Sequence, residues 1–149
     1  MFVRDFRSHH LTRMDLVNGR ERCDEAAKLM VDYNANALVV TKSNQFDREE
    51  FSGIVEVQHL LECFLNADGK NSKTFISDIT PEITYSCNVD DHIQDILALM
   101  AQQNLRYIPI RSSGETIGII GISDIAKFIS EQNFLDDAMG DEFEEFEYE

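Results

Sequence analysis

Cysteine thiols and histidine imidazoles are the side chains of this sequence best suited to nucleophilic catalysis or metal binding. Their spacing along the chain indicates neither a nucleophilic site nor a metal site. Cys23, Cys63 and Cys87 are far apart and form no C-x-x-C pair, so they indicate neither a zinc site nor a disulfide framework. The side chains of the adjacent pair His9-His10 project in different directions, and no acid or cysteine completes a ligand set with them. No Ser, Thr or Cys has an evident base and orienting group in a local motif. The sequence therefore predicts no metal site and no enzyme.

An arginine, a serine and an aspartate near the ends of two predicted strands form the other chemically interesting group. Ser123 and Asp124 open a predicted helix, where a serine can cap the helix and an acid complements its dipole. Arg106 directly precedes a short apolar run, and a solvated arginine on an acidic surface is its simplest interpretation. Taken by themselves, these three residues need no ligand to explain them.

An internal repeat defines the elements that carry these residues. Glu25–Met30 and Asp95–Met100 both end an amphipathic stretch with Leu-Met, at an offset of 70 residues. The same offset places Ala37–Val40 on Tyr107–Ile110, and both apolar runs are predicted strands. We call the two occurrences copy one and copy two.

Each copy continues with a second strand and a second helix. Gly53 in copy one corresponds to Gly118 in copy two, and the tight connection at Ser113-Gly114 accounts for the shorter second copy. Helical patterns follow over 58–65 and 123–129. Short strands are predicted before each first helix, at Leu16-Val17 and at Thr84–Cys87.

These elements predict an α/β fold made of two pseudo-symmetric β-α-β-β-α units. Units of about 60 residues are marginal alone, so we expect them to pack sheet to sheet. The predicted boundaries are residues 1–68 for the N-terminal segment and unit one, 69–76 for a linker, 77–134 for unit two and 135–149 for an acidic, disordered tail.

Charge and hydropathy narrow the function classes. The formal net charge of −15 disfavours nucleic-acid binding, which depends on Lys and Arg neutralising phosphates. No apolar run approaches the roughly 20 residues of a membrane helix, and no signal peptide is evident, so we expect a cytoplasmic protein with reduced thiols. Residues 136–149 contain no basic residue and read as a solubilising tail; Phe143, Phe146 and Tyr148 leave open a weaker hypothesis of partner docking.

The order of four sequence segments makes residues 11–133 resemble a tandem pair of cystathionine-β-synthase (CBS) domains, the Bateman module. They are Asp78-Ile79-Thr80-Pro81, Asp90–Met100, Arg106–Ile110 and Gly118–Asp124. The resemblance implies a non-enzymatic regulatory module that senses AMP, ADP, ATP or S-adenosylmethionine between its two units, forms a homodimer and acts on a partner protein. The alternative is a degenerate pair that serves dimerisation and protein contact without a nucleotide. No cofactor other than such a ligand is implied.

The resemblance also implies ligand-binding residues in copy two. Gly118 and Asp124 match the ends of the family's G-x-x-T/S-x-x-D run, in which the acid binds ribose hydroxyls. The hydroxyl position of that run, which approaches the phosphate, is Gly121 here, and Ser123 is the nearest substitute.

The remaining residues implied by the resemblance flank that run. Arg106 matches a phosphate-binding position, while Ile83, Tyr85 and Pro109 match the apolar slot for adenine.

Copy one departs further from the family pattern. Glu56 and His59 replace the hydroxyl and the acid, and Asn36 stands in place of the arginine. A carboxylate at Glu56 would repel a phosphate, and a histidine could make this cleft sensitive to pH. We therefore predict the functional site in copy two.

Overall fold

The structure is a computed structural model that describes residues 1–66 and 73–140, with the backbone alone from 133 to 140. The chain divides into two compact units. The copy-one unit contains Arg13–Ser86 and Ser113–Thr116, and the copy-two unit contains Met1–Thr12, Cys87–Ser112 and the chain from Ile117 onward.

The copy-one unit is a three-stranded sheet with helices. Its elements in chain order are β1 (Leu16–Asn18), α1 (Cys23–Tyr33), β2 (Ala37–Ser43), β3 (Glu49–Glu56), α2 (Val57–Asn66) and α3 (Ile76–Ile79). The strand order is β1-β2-β3, with β1 parallel and β3 antiparallel to β2. The predicted order β-α-β-β-α is confirmed for this copy.

An unbroken buried run in the central strand anchors the core of the copy-one unit. Residues 37–41 of β2 are all buried, as expected for the middle strand of a small sheet covered by helices. Leu38 and Val55 pack with Met30 of α1 and Leu60 of α2. Helix α1 ends where Asn34 adopts a left-handed conformation with a φ of 52°, one of the few residues other than glycine that does so readily.

The copy-two unit has a helix, a two-stranded hairpin and a second helix, and its described residues lack the first strand of the predicted pattern. Its elements are α4 (Ile93–Gln103), β4 (Tyr107–Ser112), β5 (Glu115–Gly121) and α5 (Ile122–Gly140). The turn between β4 and β5 uses Ser113 at φ 52° and Gly114 at φ 81°, the geometry of a tight hairpin. The predicted short connection is therefore confirmed.

The strand predicted at Thr84–Cys87 is wrong. Only Cys87 pairs, through a single parallel bridge to Ile110, in which Cys87 N–H donates to the Pro109 carbonyl at 2.9 Å and Arg111 N–H donates to the Cys87 carbonyl at 2.8 Å. The next bond of a parallel ladder would come from the N–H of residue 109 to the carbonyl of Tyr85. Proline has no N–H, so the ladder stops.

The first twelve residues belong to the copy-two unit and contain two short 3-10 turns, Val3–Asp5 and Ser8–His10. Ile93 N–H donates to the Met1 carbonyl at 2.9 Å, and Val3 N–H donates to the Asp91 carbonyl at 3.0 Å. Val3 and Phe6 are buried. This stretch, residues 1–12, is called the N-terminal segment below.

The predicted linker and the predicted acidic tail are only partly covered by the described residues. Residues 69–72, the first half of the predicted linker, and the tail aromatics Phe143, Phe146 and Tyr148 lie outside the described residues. Helix α5 ends at Gly140, inside the segment 135–149 for which disorder is predicted. No helix within residues 1–66 and 73–140 combines the length and apolar character needed to cross a membrane.

Candidate functional site

The junction of β5 and α5 holds the carboxylate that the sequence singled out. Strand β5 ends at Gly121 and α5 begins at Ile122, so no loop separates them. Gly121 N–H donates to Asp124 Oδ2 at 2.7 Å, and the Asp124 side chain is partly buried. The acid three residues beyond the strand end thereby satisfies an N–H that has no partner within the helix.

A second donor to the same carboxylate comes from the N-terminal segment. The Thr12 hydroxyl donates to Asp124 Oδ2. Thr12 reaches this position because it forms an antiparallel bridge with Ile119 of β5. Sequence reasoning missed Thr12, since a contact between residues 112 positions apart leaves no local pattern.

Gly121 is surrounded so closely that a side chain would not fit without movement. A Cβ placed there would lie 3.1 Å from Tyr107 Cε1, 3.2 Å from Asp124 Oδ2 and 3.2 Å from Thr12 Oγ1. These distances are tighter than ordinary van der Waals contact. The glycine at the family's hydroxyl position therefore has a structural reason, because the Thr12 hydroxyl stands beside it.

The start of β4 is tied to the same junction. Ile122 N–H donates to the Arg106 carbonyl at 2.9 Å, which places the backbone of Arg106 beside the first residue of α5. The Arg106 side chain is exposed. Pro109, predicted to line an adenine slot, is buried in β4, and Gly118 is buried in β5 with Leu11 against it.

The other predicted residues stand in different settings. Ser123 lies inside the first turn of α5, because the helix begins one residue before it, so the predicted cap role is wrong. Its side chain is exposed. Ile83 and Tyr85 belong to the copy-one unit, whereas the other six predicted residues belong to the copy-two unit. Ile83 is 37% exposed and Tyr85 is partly buried.

Copy one repeats the hydrogen bond with a different acceptor. Glu56 N–H donates to His59 Nδ1 at 2.8 Å, as Gly121 N–H does to Asp124. Both copies therefore use the side chain three residues after the strand end to hold the start of the following helix. Copy one places an imidazole where copy two places a carboxylate.

The three thiols are buried and have the chemistry of core residues. Burial, then a hydrogen bond with Cys63, raises the pKa of Cys23 to about 12, and the two sulfur atoms lie 3.8 Å apart. Burial raises the pKa of Cys87 to about 12 as well, with a smaller effect from Asp91. Thiols with such pKa values carry almost no nucleophilic thiolate at neutral pH.

The adjacent histidines are accounted for by packing. The rings of His9 and His10 lie 4.0 Å apart, and His10 Nδ1 accepts a hydrogen bond from Arg7 N–H at 2.9 Å. Within the described part of the chain, no three His, Cys, Asp or Glu side chains come together as a metal site.

Comparison with known proteins identifies the architecture. The family model of the CBS domain matches residues 76–131. Two proteins of Bacillus subtilis are similar to this chain. The CBS domain-containing protein YhcV is 25% identical, over 77% of this chain and 78% of its own length. The uncharacterized protein YlbB is 32% identical, over 72% of this chain and 69% of its own length. The solved CBS domain pair of protein MJ0100, in complex with 5′-methylthioadenosine and S-adenosyl-L-methionine, superposes with a TM-score of 0.69 at 18% identity, over 89% of this chain and 98% of that one. The chain belongs to the CBS domain family and carries the domain as a pair.

Proposed function

We propose that this protein is a non-enzymatic regulatory module that binds an adenosine-containing nucleotide, AMP, ADP, ATP or S-adenosylmethionine, through its copy-two site. One observation carries the proposal: the Asp124 carboxylate is held at the start of α5 by Gly121 N–H and the Thr12 hydroxyl. A carboxylate held in this way is suited to accept hydrogen bonds from two neighbouring hydroxyls, as a ribose presents them.

A cationic side chain that such a ligand could use begins beside the same junction. The Arg106 backbone is bonded to the first residue of α5, so the exposed guanidinium starts from the same junction and can pair with phosphate oxygens. The similarity to the CBS pair of MJ0100, solved with two adenosine derivatives, supports an adenine-containing ligand.

The buried thiols support a binding role over a catalytic one. The raised pKa values of Cys23 and Cys87 suppress the nucleophilic thiolate at two of the three cysteines, and the third, Cys63, is buried as well. A module without chemistry of its own acts by changing how it presents a surface when the ligand binds.

Copy one is proposed to bind no nucleotide. His59 takes the position of the ribose acid, and its Nδ1 is used by the Glu56 N–H, whereas the Asp124 carboxylate has a second oxygen besides the one that accepts the Gly121 N–H. Asn36 replaces the arginine and removes the positive charge. We therefore expect one nucleotide per chain.

A homodimer in the cytoplasm is part of the proposal. Leu61 and Leu65 lie one turn apart on α2 and are 54% and 76% exposed. Two exposed leucines on one helix face support a contact with a second copy of this chain.

A thermal-shift panel of AMP, ADP, ATP, S-adenosylmethionine and NAD tests the nucleotide proposal. A ligand that binds only the folded state stabilises it by RT ln(1 + [L]/Kd), about 2.7 kcal/mol at a hundredfold excess over Kd. We expect a saturable shift with at least one of these ligands. No shift at millimolar concentration would overturn the sensor and leave the protein-contact module.

Asp124→Asn is the decisive variant, because an amide oxygen can still accept the Gly121 N–H while the charge is lost. We expect it to abolish the ligand-induced shift. His59→Asn makes the corresponding change in copy one and serves as the matched control, with the shift retained. A full shift in Asp124→Asn would remove Asp124 from the site.

A further inference from the structure

The N-terminal segment contributes a side chain to the junction where the proposed ligand would bind. We propose that Thr12 is a ligand-positioning residue, and that docking of the N-terminal segment and nucleotide binding strengthen each other. This inference rests on the proposed function and concerns the regulation of that same site.

The first step concerns the atoms of the carboxylate. Asp124 Oδ2 accepts two hydrogen bonds, one from Gly121 N–H at 2.7 Å and one from the Thr12 hydroxyl. Among the described residues, no donor is bonded to Asp124 Oδ1. Two bonds on one oxygen fix the orientation of the carboxylate and leave the other oxygen for a ligand. Without the Thr12 hydroxyl, the backbone bond alone would hold it.

The second step concerns space at the junction. A Cβ at position 121 would lie 3.2 Å from Thr12 Oγ1, so a side chain there would push Thr12 away. A Cβ at position 118 would lie 3.4 Å from Leu11 Cδ1, which is an ordinary van der Waals contact, so Leu11 packs beside β5 without requiring a glycine there. The glycine at 121 therefore leaves room for the Thr12 hydroxyl at the end of β5, and the bridge between Thr12 and Ile119 holds that residue in place.

The third step concerns how firmly the segment is held. Arg4 N–H donates to the Val89 carbonyl at 2.9 Å, and buried Phe6 stacks on Phe128 with ring centroids 4.1 Å apart. Phe128 lies on α5 one turn beyond Asp124. The N-terminal segment thus contacts α5 at two successive turns, through Thr12 and through Phe6.

Coupling follows from thermodynamic linkage. If the docked segment raises the affinity of the site by orienting Asp124, the bound ligand must favour the docked segment by the same factor. A nucleotide would then change the accessibility of residues 1–12, which gives the pair a way to report ligand binding to a partner.

The test compares Thr12→Val and Thr12→Ser by isothermal titration with ATP and with S-adenosylmethionine. Loss of one hydrogen bond to a charged group corresponds to roughly a tenfold or larger rise in Kd, so we expect this from Thr12→Val. Thr12→Ser retains the hydroxyl and should stay within about threefold of the wild type. Thr41→Val is the matched control, since its buried hydroxyl donates to the Glu49 carboxylate at 2.5 Å in the copy-one unit. It should leave Kd unchanged.

Hydrogen exchange gives a readout that a purely structural threonine would not move. In the wild type, saturating ATP or S-adenosylmethionine should slow exchange at the amides of residues 3–12, and in Thr12→Val this ligand effect should disappear. Wild-type affinity in Thr12→Val, or an exchange pattern insensitive to ligand, would overturn the coupling while the nucleotide site stands. If the wild type binds no probe, the proposed function fails and the coupling fails with it.

Discussion

Two threonines illustrate how single hydroxyl groups contribute to this molecule. The Thr116 hydroxyl is buried without a hydrogen-bond partner within the described chain, whereas the buried Thr41 hydroxyl donates to Glu49. A buried polar atom that loses its water without gaining a partner costs about 1 to 3 kcal/mol. The shape of valine is nearly that of threonine, so the same substitution tests both environments.

Thr116→Val should raise the free energy of unfolding by about 1 kcal/mol, which corresponds to a Tm increase of about 2–4 °C for a chain of this size. Thr41→Val should lower Tm, because it removes a satisfied hydrogen bond. Differential scanning calorimetry of Thr116→Val and Thr41→Val measures both Tm changes. A lower Tm for Thr116→Val would show that its hydroxyl is solvated or bonded in solution.

The same scale shows which features of the junction between β5 and α5 could be predicted from the sequence, while ligand binding by Asp124 stays a prediction. Asp124 could be predicted, because its spacing from Gly118 and its position at a helix start are local properties. Thr12 could not, since its role depends on a bridge to Ile119 formed only in the folded chain. In the sequence, Gly121 stands where the family has a hydroxyl residue; in the structure, a Cβ at this position would lie within 3.2 Å of Tyr107, Asp124 and Thr12.

At the scale of elements, the helices and paired strands follow from periodicity and the exceptions have local causes. The run Ala37–Val40 and its counterpart at 107–110 are short and apolar, and half of their residues are β-branched, which favours buried strands. The strand expected at Thr84–Cys87 fails because Pro109 cannot donate to it. The turn at Val3–Asp5 is held by backbone hydrogen bonds to the distant residues Val89 and Asp91, which leave no periodic pattern in the sequence.

Helix α2 is the element on which the proposed homodimer can be tested. Leu61→Glu combined with Leu65→Glu places two charges on its exposed apolar face, and desolvating charged groups at an interface is strongly unfavourable. We expect a dimeric wild type and a monomeric variant by sedimentation velocity. Because both side chains are largely exposed, the circular dichroism spectrum should be unchanged.

The control for this variant is Glu62→Gln, a neutralising change between the two leucines. It should leave the mass of the assembly unchanged. A monomeric wild type, or a double variant that remains dimeric, would remove this face of α2 from the proposed interface.

At the scale of the whole molecule, charge and composition indicated a class of function before any site was visible. A formal net charge of −15 fits poorly with nucleic acid and leaves a small ligand or a protein as the partner. Composition could not indicate that the N-terminal segment joins the copy-two unit, since that assignment depends on burial of Val3 and Phe6 against distant residues.

Alkaline unfolding depends on the whole molecule, because the buried thiols become available only when the chain opens. An exposed thiol has a pKa of about 8.5, whereas burial raises the pKa of Cys23 and of Cys87 to about 12. Between these values the unfolded state has lost the proton and the folded state retains it, so the unfolded state binds fewer protons. Stability is therefore complete below about pH 8.5 and falls as pH rises toward 12.

We expect the urea midpoint to be flat from pH 7 to 8 and to decline steadily above pH 9. Cys87→Ala removes one of the two responsible groups and should flatten the decline, even if the small cavity lowers the midpoint at neutral pH. Cys87→Ser retains the polar volume without a group that titrates in this range and separates the two effects.

In the native protein, a thiol-specific disulfide reagent should label Cys23 and Cys87 no faster than the chain unfolds, because neither thiol is accessible or ionised. Rapid labelling at pH 7, or a midpoint that does not respond to alkali, would show that these thiols are exposed to solvent in the native state.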